Sequence, residues 1–393
     1  MSRINQAYGL LPPAFFFARL NETVAAYAAA HPGQRLLRLG VGDVRGPLAP
    51  AAIEAMHRAL DEQGRAATFH GYLPETGASF LKAAVVAHYG RRGVALSPED
   101  VFISSGAADD LGALGNLFSP DARVLVAEPA YPAYVDTNRM AGRRILSLPG
   151  TRENGFLPLP GAAPEADLVY LCSPNNPTGA AYTREQLQQW VDWANDRGAV
   201  LIFDAAYEAF VQDGAVPHSI LELPGAETSA IEICSLSKTA GFTGMRLGYT
   251  VVPHGLVREG LCLRDMWVKD RTTRTNGVSY ILQRGAEAAL SPEGMAQNEQ
   301  AIARCWENGR VLSEALARAG CWFTGGKNAP YLWLRCPRGM SGWAFFDHLL
   351  ERAQIVVTPG EGFGPGGEGY VRLSCFGSRE DTRAAARRLM KLL

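Results

Sequence analysis

Cysteine is scarce: seven in 393 residues, with no Cys-x-x-Cys pair. Odd in number and scattered, these residues suit neither a disulfide framework nor a zinc ribbon. They read as buried, reduced thiols of a cytoplasmic protein. The seven histidines show no metal-ligand spacing, so no metal is expected. Charge of one sign is also missing, since 38 Lys and Arg meet 39 Asp and Glu for a net of −1. Such a chain has no basic field for nucleic acid or an anionic membrane, and neither is expected as a partner. Long hydrophobic runs are lacking too. The apolar patch near the start is cut by Pro12 and Pro13, is too short to span a bilayer and lacks a signal-peptide layout. No repeat or low-complexity segment occurs. What remains is an ordinary globular composition on a chain too long for most single cores, so two domains are expected.

The middle of the chain alternates short apolar runs with amphipathic ones. Five runs read as strands: Val101–Ser105, Arg123–Ala127, Leu168–Cys172, Val200–Asp204 and Ile231–Ser235. Four are nearly continuous in apolar residues, as suits strands covered on both faces of a parallel sheet. Thr183 and Gln186 form a capping box that opens a helix running to about Arg197. This alternation predicts an open α/β sheet with helices on both faces. In such sheets ligands bind beyond the carboxyl ends of the strands, and there the unusual residues gather: Gly106, Tyr131, Ser173–Pro177, Asp204–Tyr207 and Ser235–Lys238. After about Gly285 the pattern changes. A long helix (294–319), the strand-like Tyr331–Arg335, a helix (341–352), Ile355–Val357 and Tyr370–Ser374 predict a smaller α+β domain on which residues 1–45 pack. The domains are thus expected at 46–284 and at 1–45 with 285–393. Gly362-Phe363-Gly364-Pro365-Gly366-Gly367 fits G-x-G-x-x-G, but it holds a proline and precedes a strand-like run, so a nucleotide role is discounted.

The stretch SLSKTAGFTGMRLG sets Lys238, two serines and Arg246 around glycines, which suits a phosphorylated ligand better than a solvated charged face. Gly106, Ala107 and Ala108 would offer backbone N–H groups at a helix start, a natural phosphate site. Asp204 ends an apolar strand, where a carboxylate is costly unless paired. Arg372, in Tyr-Val-Arg-Leu-Ser, offers a planar fork for a carboxylate.

With SPNNPTG, DAAY, SLSK and Arg372 in this order, the chain resembles pyridoxal-phosphate enzymes of the aspartate aminotransferase fold. Segments such as FHGYLPETG, YLCSPNNPTG, SKTAGFTG and TPGEGFGPGGEGYVRLSCFGSRED extend the resemblance to the LL-diaminopimelate aminotransferase family. The resemblance implies a fold type I α/β protein with a mainly parallel seven-stranded sheet, flanked by helices and joined to a smaller α+β domain. It implies pyridoxal 5′-phosphate as cofactor, a homodimer with shared sites, and amino-acid and 2-oxo-acid substrates. By the same resemblance Lys238 holds the cofactor and moves a proton. Asp204 binds its ring nitrogen, Asn176 and Tyr207 its ring oxygen, and Tyr131 lies on its face. Gly106, Ala107, Ala108, Ser235, Ser237 and Arg246 hold its phosphate, joined by Tyr72 of the second subunit. Arg372 and Gly42 take the substrate's α-carboxylate, assisted by Asn176, while Glu75 and Asn276 of the second subunit read its distal end.

Three positions depart from the family pattern. Phe15 stands where a tyrosine is usual, Ala108 where a lysine is usual, and Leu73 where the common loop has glycine. A lost hydroxyl or an added side chain can change specificity. The leading expectation is amino transfer from glutamate to tetrahydrodipicolinate, giving LL-diaminopimelate for lysine synthesis. A related aminotransferase for lysine, an aromatic or a pathway-specific amino acid stays open. So do a β-lyase or decarboxylase on the same fold, and a non-catalytic ligand-binding relative.

Overall fold

The computed structural model describes residues 3–12, 16–44 and 46–393. Phe15 lies outside them. Seven strands form the larger sheet: β1 Val101–Ser104, β2 Arg123–Glu128, β3 Arg144–Pro149, β4 Leu168–Cys172, β5 Val200–Asp204, β6 Ala230–Ser235 and β7 Gly248–Val251. Their order is β1-β7-β6-β5-β4-β2-β3, with β7 antiparallel to both neighbours and the other pairs parallel. Every residue of β4, β5 and β6 is buried, as expected of strands with helices on both faces. The capping box at Thr183 opens the helix Arg184–Arg197, and Gly198 ends it at φ 66°. Leu187, Trp190, Val191 and Ala194 of that helix face the core.

Two strands escaped the sequence reading. β3 lies at the sheet edge and mixes Arg144 and Ser147 with its apolar residues. β7 has only four residues and follows directly on the glycine-rich turn.

The C-terminal part carries a four-stranded antiparallel sheet in the order Phe323–Gly325, Tyr331–Arg335, Tyr370–Ser374, Thr358–Pro359. The run read as one strand at 355–357 is divided. Ile355–Val356 pairs in parallel with Leu37–Arg38, and Thr358–Pro359 pairs with Tyr370–Ser374. Leu20, Val24, Leu37 and Leu39 share a core with Leu316, Leu349 and Leu373, so the N-terminal segment packs on this layer. The expected change of domain at 284/285 falls inside the helix Tyr280–Leu290. Ala286, Ala289 and Leu290 of that helix belong to the core of the large sheet. The helix Pro292–Arg318 follows, capped by Ser291. The glycine run at 362–367 forms two short 3-10 turns, Gly360–Phe363 and Pro365–Gly367, ahead of a strand and with no helix to open.

Candidate active site

A cleft of about 240 Å³ opens at the carboxyl ends of the strands and is lined by residues of both layers. At one end β1 passes through Gly106 into the helix Ala107–Leu114, whose first N–H groups have no partner within the helix. Gly106 sits at φ 119°, and a Cβ there would come within 2.6 Å of Arg246 Nη2. Arg246 is itself left-handed, at φ 58°. Its Nη1 donates to Ser237 Oγ and to the Thr243 carbonyl, each at 3.1 Å. Ser235, Ser237, Ala107, Ala108 and Arg246 all line this end. A helix N-terminus, two hydroxyls and a guanidinium converging there suit a phosphate. Ala108 brings no charge to it.

Lys238 lies on the single turn Leu236–Thr239, and its Nζ donates to the Gly42 carbonyl. Its pKa falls from 10.5 to about 8, chiefly by burial, then by the cations Arg372 and Arg246, against Asp43 and Asp204. Asp204, at the end of β5, accepts from the Tyr134 hydroxyl at 2.5 Å and from Ala206 N at 2.9 Å. Burial still pushes its carboxyl up, against those two donors and Lys238. A carboxylate so held lacks a full counter-charge, and a protonated ring nitrogen would supply one. Tyr207 is buried with its hydroxyl 2.8 Å from that of Tyr331. Tyr131 lines the cleft with its ring edge-on to Tyr134.

At the other end Arg372 is buried on the strand Tyr370–Ser374. Its Nη1 donates to Asn176 Oδ1 at 2.6 Å and its Nη2 to the Gly40 carbonyl at 2.9 Å. Its buried Nε has no partner. A guanidinium with a spare buried donor is a seat for a carboxylate.

One chain thus brings together Gly42, Gly106, Ala107, Ala108, Tyr131, Asn176, Asp204, Tyr207, Ser235, Ser237, Lys238, Arg246 and Arg372. It does not bring in the residues expected from a second subunit. Tyr72 is 89% exposed, and neither it nor Glu75 nor Asn276 lines the cleft. The loops of Glu75 and Asn276 do adjoin, since a Cβ on Gly277 would lie 3.5 Å from Glu75 Cα. Sequence reading passed over Tyr134, Tyr331 and Gly40. Tyr134 stands three residues after Tyr131, a spacing that was available as a signal. Tyr331 opens an apolar strand and reads as core. Away from the cleft, ligand atoms of the exposed His254 and Asp265 and the half-buried Cys262 lie within 4.8 Å of one another, which histidine spacing alone did not show.

A model of the aminotransferase class I and II family matches residues 34–389. An LL-diaminopimelate aminotransferase of Lachnospira eligens is 47% identical, with both chains fully covered. Its counterpart from Agathobacter rectalis is 48% identical, again over the whole of both chains. Among solved structures, L,L-diaminopimelate aminotransferase from Chlamydomonas reinhardtii superposes with a TM-score of 0.94 at 38% identity, covering 99% of this chain and 98% of its own.

Proposed function

The chain belongs to the aminotransferase class I and II family, and on that premise we propose that it is a pyridoxal 5′-phosphate-dependent LL-diaminopimelate aminotransferase. In the proposed reaction, water opens the cyclic imine of tetrahydrodipicolinate to its amino-keto form, and glutamate passes its amino group to that ketone, giving 2-oxoglutarate and LL-diaminopimelate. The observation that carries the reading is one cleft holding a phosphate cradle, a buried carboxylate, a buried lysine and a carboxylate clamp in sequence.

When bound, pyridoxal phosphate supplies an electron sink that acidifies the substrate's α-hydrogen. Arg372 binds the substrate's α-carboxylate and fixes which bond at Cα faces Lys238. Lys238 Nζ would take the proton from the substrate's Cα and hold it for transfer, a task that suits an amine titrating near 8. Asp204 keeps a proton on the ring nitrogen, with Tyr134 and Ala206 holding its oxygens in place. Asn176 and Tyr207 would serve the ring oxygen, and Tyr131 would lie against the ring. Gly106–Ala108, Ser235, Ser237 and Arg246 anchor the phosphate. In a cytoplasmic homodimer, Tyr72, Glu75 and Asn276 of each subunit complete the other's site, and Glu75 offers the charge that a distal ammonium needs. Among the described residues no helix is long and apolar enough to cross a membrane.

The test is a panel of amino acids added singly to the cofactor-loaded protein, scored by the loss of the cofactor's yellow absorbance. LL-diaminopimelate and glutamate should both convert it. Conversion by other amino acids but not by LL-diaminopimelate would refute the substrate and keep the class. Glu75→Ala should damage turnover of diaminopimelate far more than that of glutamate, and equal losses would remove Glu75 from the distal site.

A further inference from the structure

Tyr331 lies at the junction of the two layers, 1% exposed, with each part of its side chain engaged. The antiparallel register sets Tyr331 opposite Ser374 and Trp333 opposite Arg372. Tyr331 and Arg372 are therefore diagonal neighbours on one face of the small sheet. The Arg372 guanidinium carbon sits 4.4 Å from the centre of the Tyr331 ring and 4.9 Å from that of Phe363. The Tyr331 hydroxyl reaches across to the Tyr207 hydroxyl at 2.8 Å. On its remaining side stands Gly42, where a Cβ would come within 2.5 Å of the Tyr331 oxygen. One side chain thus touches the carboxylate clamp, the tyrosine assigned to the cofactor's ring oxygen, and the backbone whose carbonyl receives Lys238.

We propose that Tyr331 is a positioning residue that sets both the clamp and the proton direction of Tyr207. The inference rests on the aminotransferase reading given above. A phenol has one proton to donate and lone pairs to accept. If Tyr331 donates to Tyr207, the proton of Tyr207 is released to point into the cleft, toward the ring oxygen. The chain Tyr331–Tyr207–ring oxygen then runs in one direction, and each bond polarises the next. The Tyr331 ring has a separate task. It forms one wall of an aromatic slot that keeps the guanidinium planar to the incoming carboxylate, an arrangement in which a cation gains from the ring face. The two tasks belong to different atoms and can be separated.

The experiment uses the cofactor-loaded protein with two variants, Tyr331→Phe and Tyr331→Leu, beside Tyr207→Phe. Two readouts avoid turnover: the pH midpoint of the bound cofactor's absorbance, and the calorimetric Kd of succinate, an unreactive dicarboxylate. A donor on the ring oxygen stabilises its ionised form, so misdirecting that donor lets the bound cofactor keep its proton to higher pH. Tyr331→Phe should raise the midpoint and change the succinate Kd less than about twofold, because the ring remains. Tyr331→Leu should weaken succinate about tenfold, as expected for loss of a desolvated cation–ring contact. The double variant Tyr331→Phe/Tyr207→Phe should have the midpoint of Tyr207→Phe alone, as for two members of one path. A midpoint unchanged in Tyr331→Phe, or additive in the double variant, would overturn the proposal, as would an unchanged succinate Kd in Tyr331→Leu. Should Tyr331→Leu fail to fold, the midpoints of the two Phe variants decide alone. A wild-type protein that takes up no cofactor would instead overturn the aminotransferase reading.

Discussion

At the scale of single residues, the proposed chemistry rests on Lys238, an amine moved from an ordinary 10.5 to about 8. Burial disfavours the charged form, and two guanidiniums do the same. Two consequences can be measured in cofactor-free protein. Acylation of Lys238 by an amine-directed reagent, followed by peptide mass spectrometry, should rise about tenfold for each pH step of one below 8 and level off above it. An exposed lysine in the same sample should keep rising to near 10.5. The second consequence concerns stability. The folded pKa is lower than the unfolded one, so the unfolded chain binds the extra proton and stability rises as pH climbs from about 8 to 10.5. Below pH 8 the charged amine costs roughly 3 kcal/mol, an order-of-magnitude figure. Lys238→Met should therefore raise the melting temperature of cofactor-free protein at pH 7, with the advantage fading toward pH 10.5. Arg372→Lys tests the fork in turn, because an ammonium cannot hold Asn176, the Gly40 carbonyl and a substrate in one plane. KM for both amino and oxo acid should rise tenfold or more, on the order expected for charged hydrogen bonds.

At the scale of elements, the turn from β1 into its helix and the turn before β7 fit each other. Gly106 has no room for a Cβ because Arg246 stands there, and Arg246 reaches that place from a left-handed backbone. Gly106→Ala should weaken cofactor binding about tenfold or more, the cost of a strained φ and a displaced guanidinium. Equilibrium dialysis would show it. Elements also decide what could be read beforehand. β4, β5 and β6 are buried along their whole length, and their apolar runs announced them. β3 and β7 did not announce themselves, one being a half-exposed edge and the other four residues long. The helix Arg184–Arg197 could be read because Thr183 and Gln186 write its start in side chains and Gly198 marks its end. The helix Tyr280–Leu290 straddles the expected change at 284/285, and its residues Ala286, Ala289 and Leu290 still pack with the large sheet.

At the scale of the whole molecule, the gathering of Lys238, Asp204, Arg246 and the serines in one cleft was legible because they sit at strand ends within short motifs. The supporting tyrosines were not, since Tyr134 and Tyr331 look like core until the layers are brought together. The second-subunit residues have a sharp test. Mixed dimers of Lys238→Ala and Glu75→Ala chains carry one site with both residues intact. Refolding the inactive pair together should restore about a quarter of wild-type activity toward diaminopimelate if the sites are shared across a two-fold axis. No recovery would place Glu75 in its own subunit's site. The path of the chain has one more consequence. The residues proposed to hold the cofactor lie between Gly106 and Arg246, whereas the proposed clamp joins Arg372 to Gly40 near the other end of the chain. Leu39 is likewise held by Val356 and Ser374. On the ribosome the residues proposed for the phosphate are therefore synthesised well before Arg372, and Gly40 meets its guanidinium only when the chain is nearly finished.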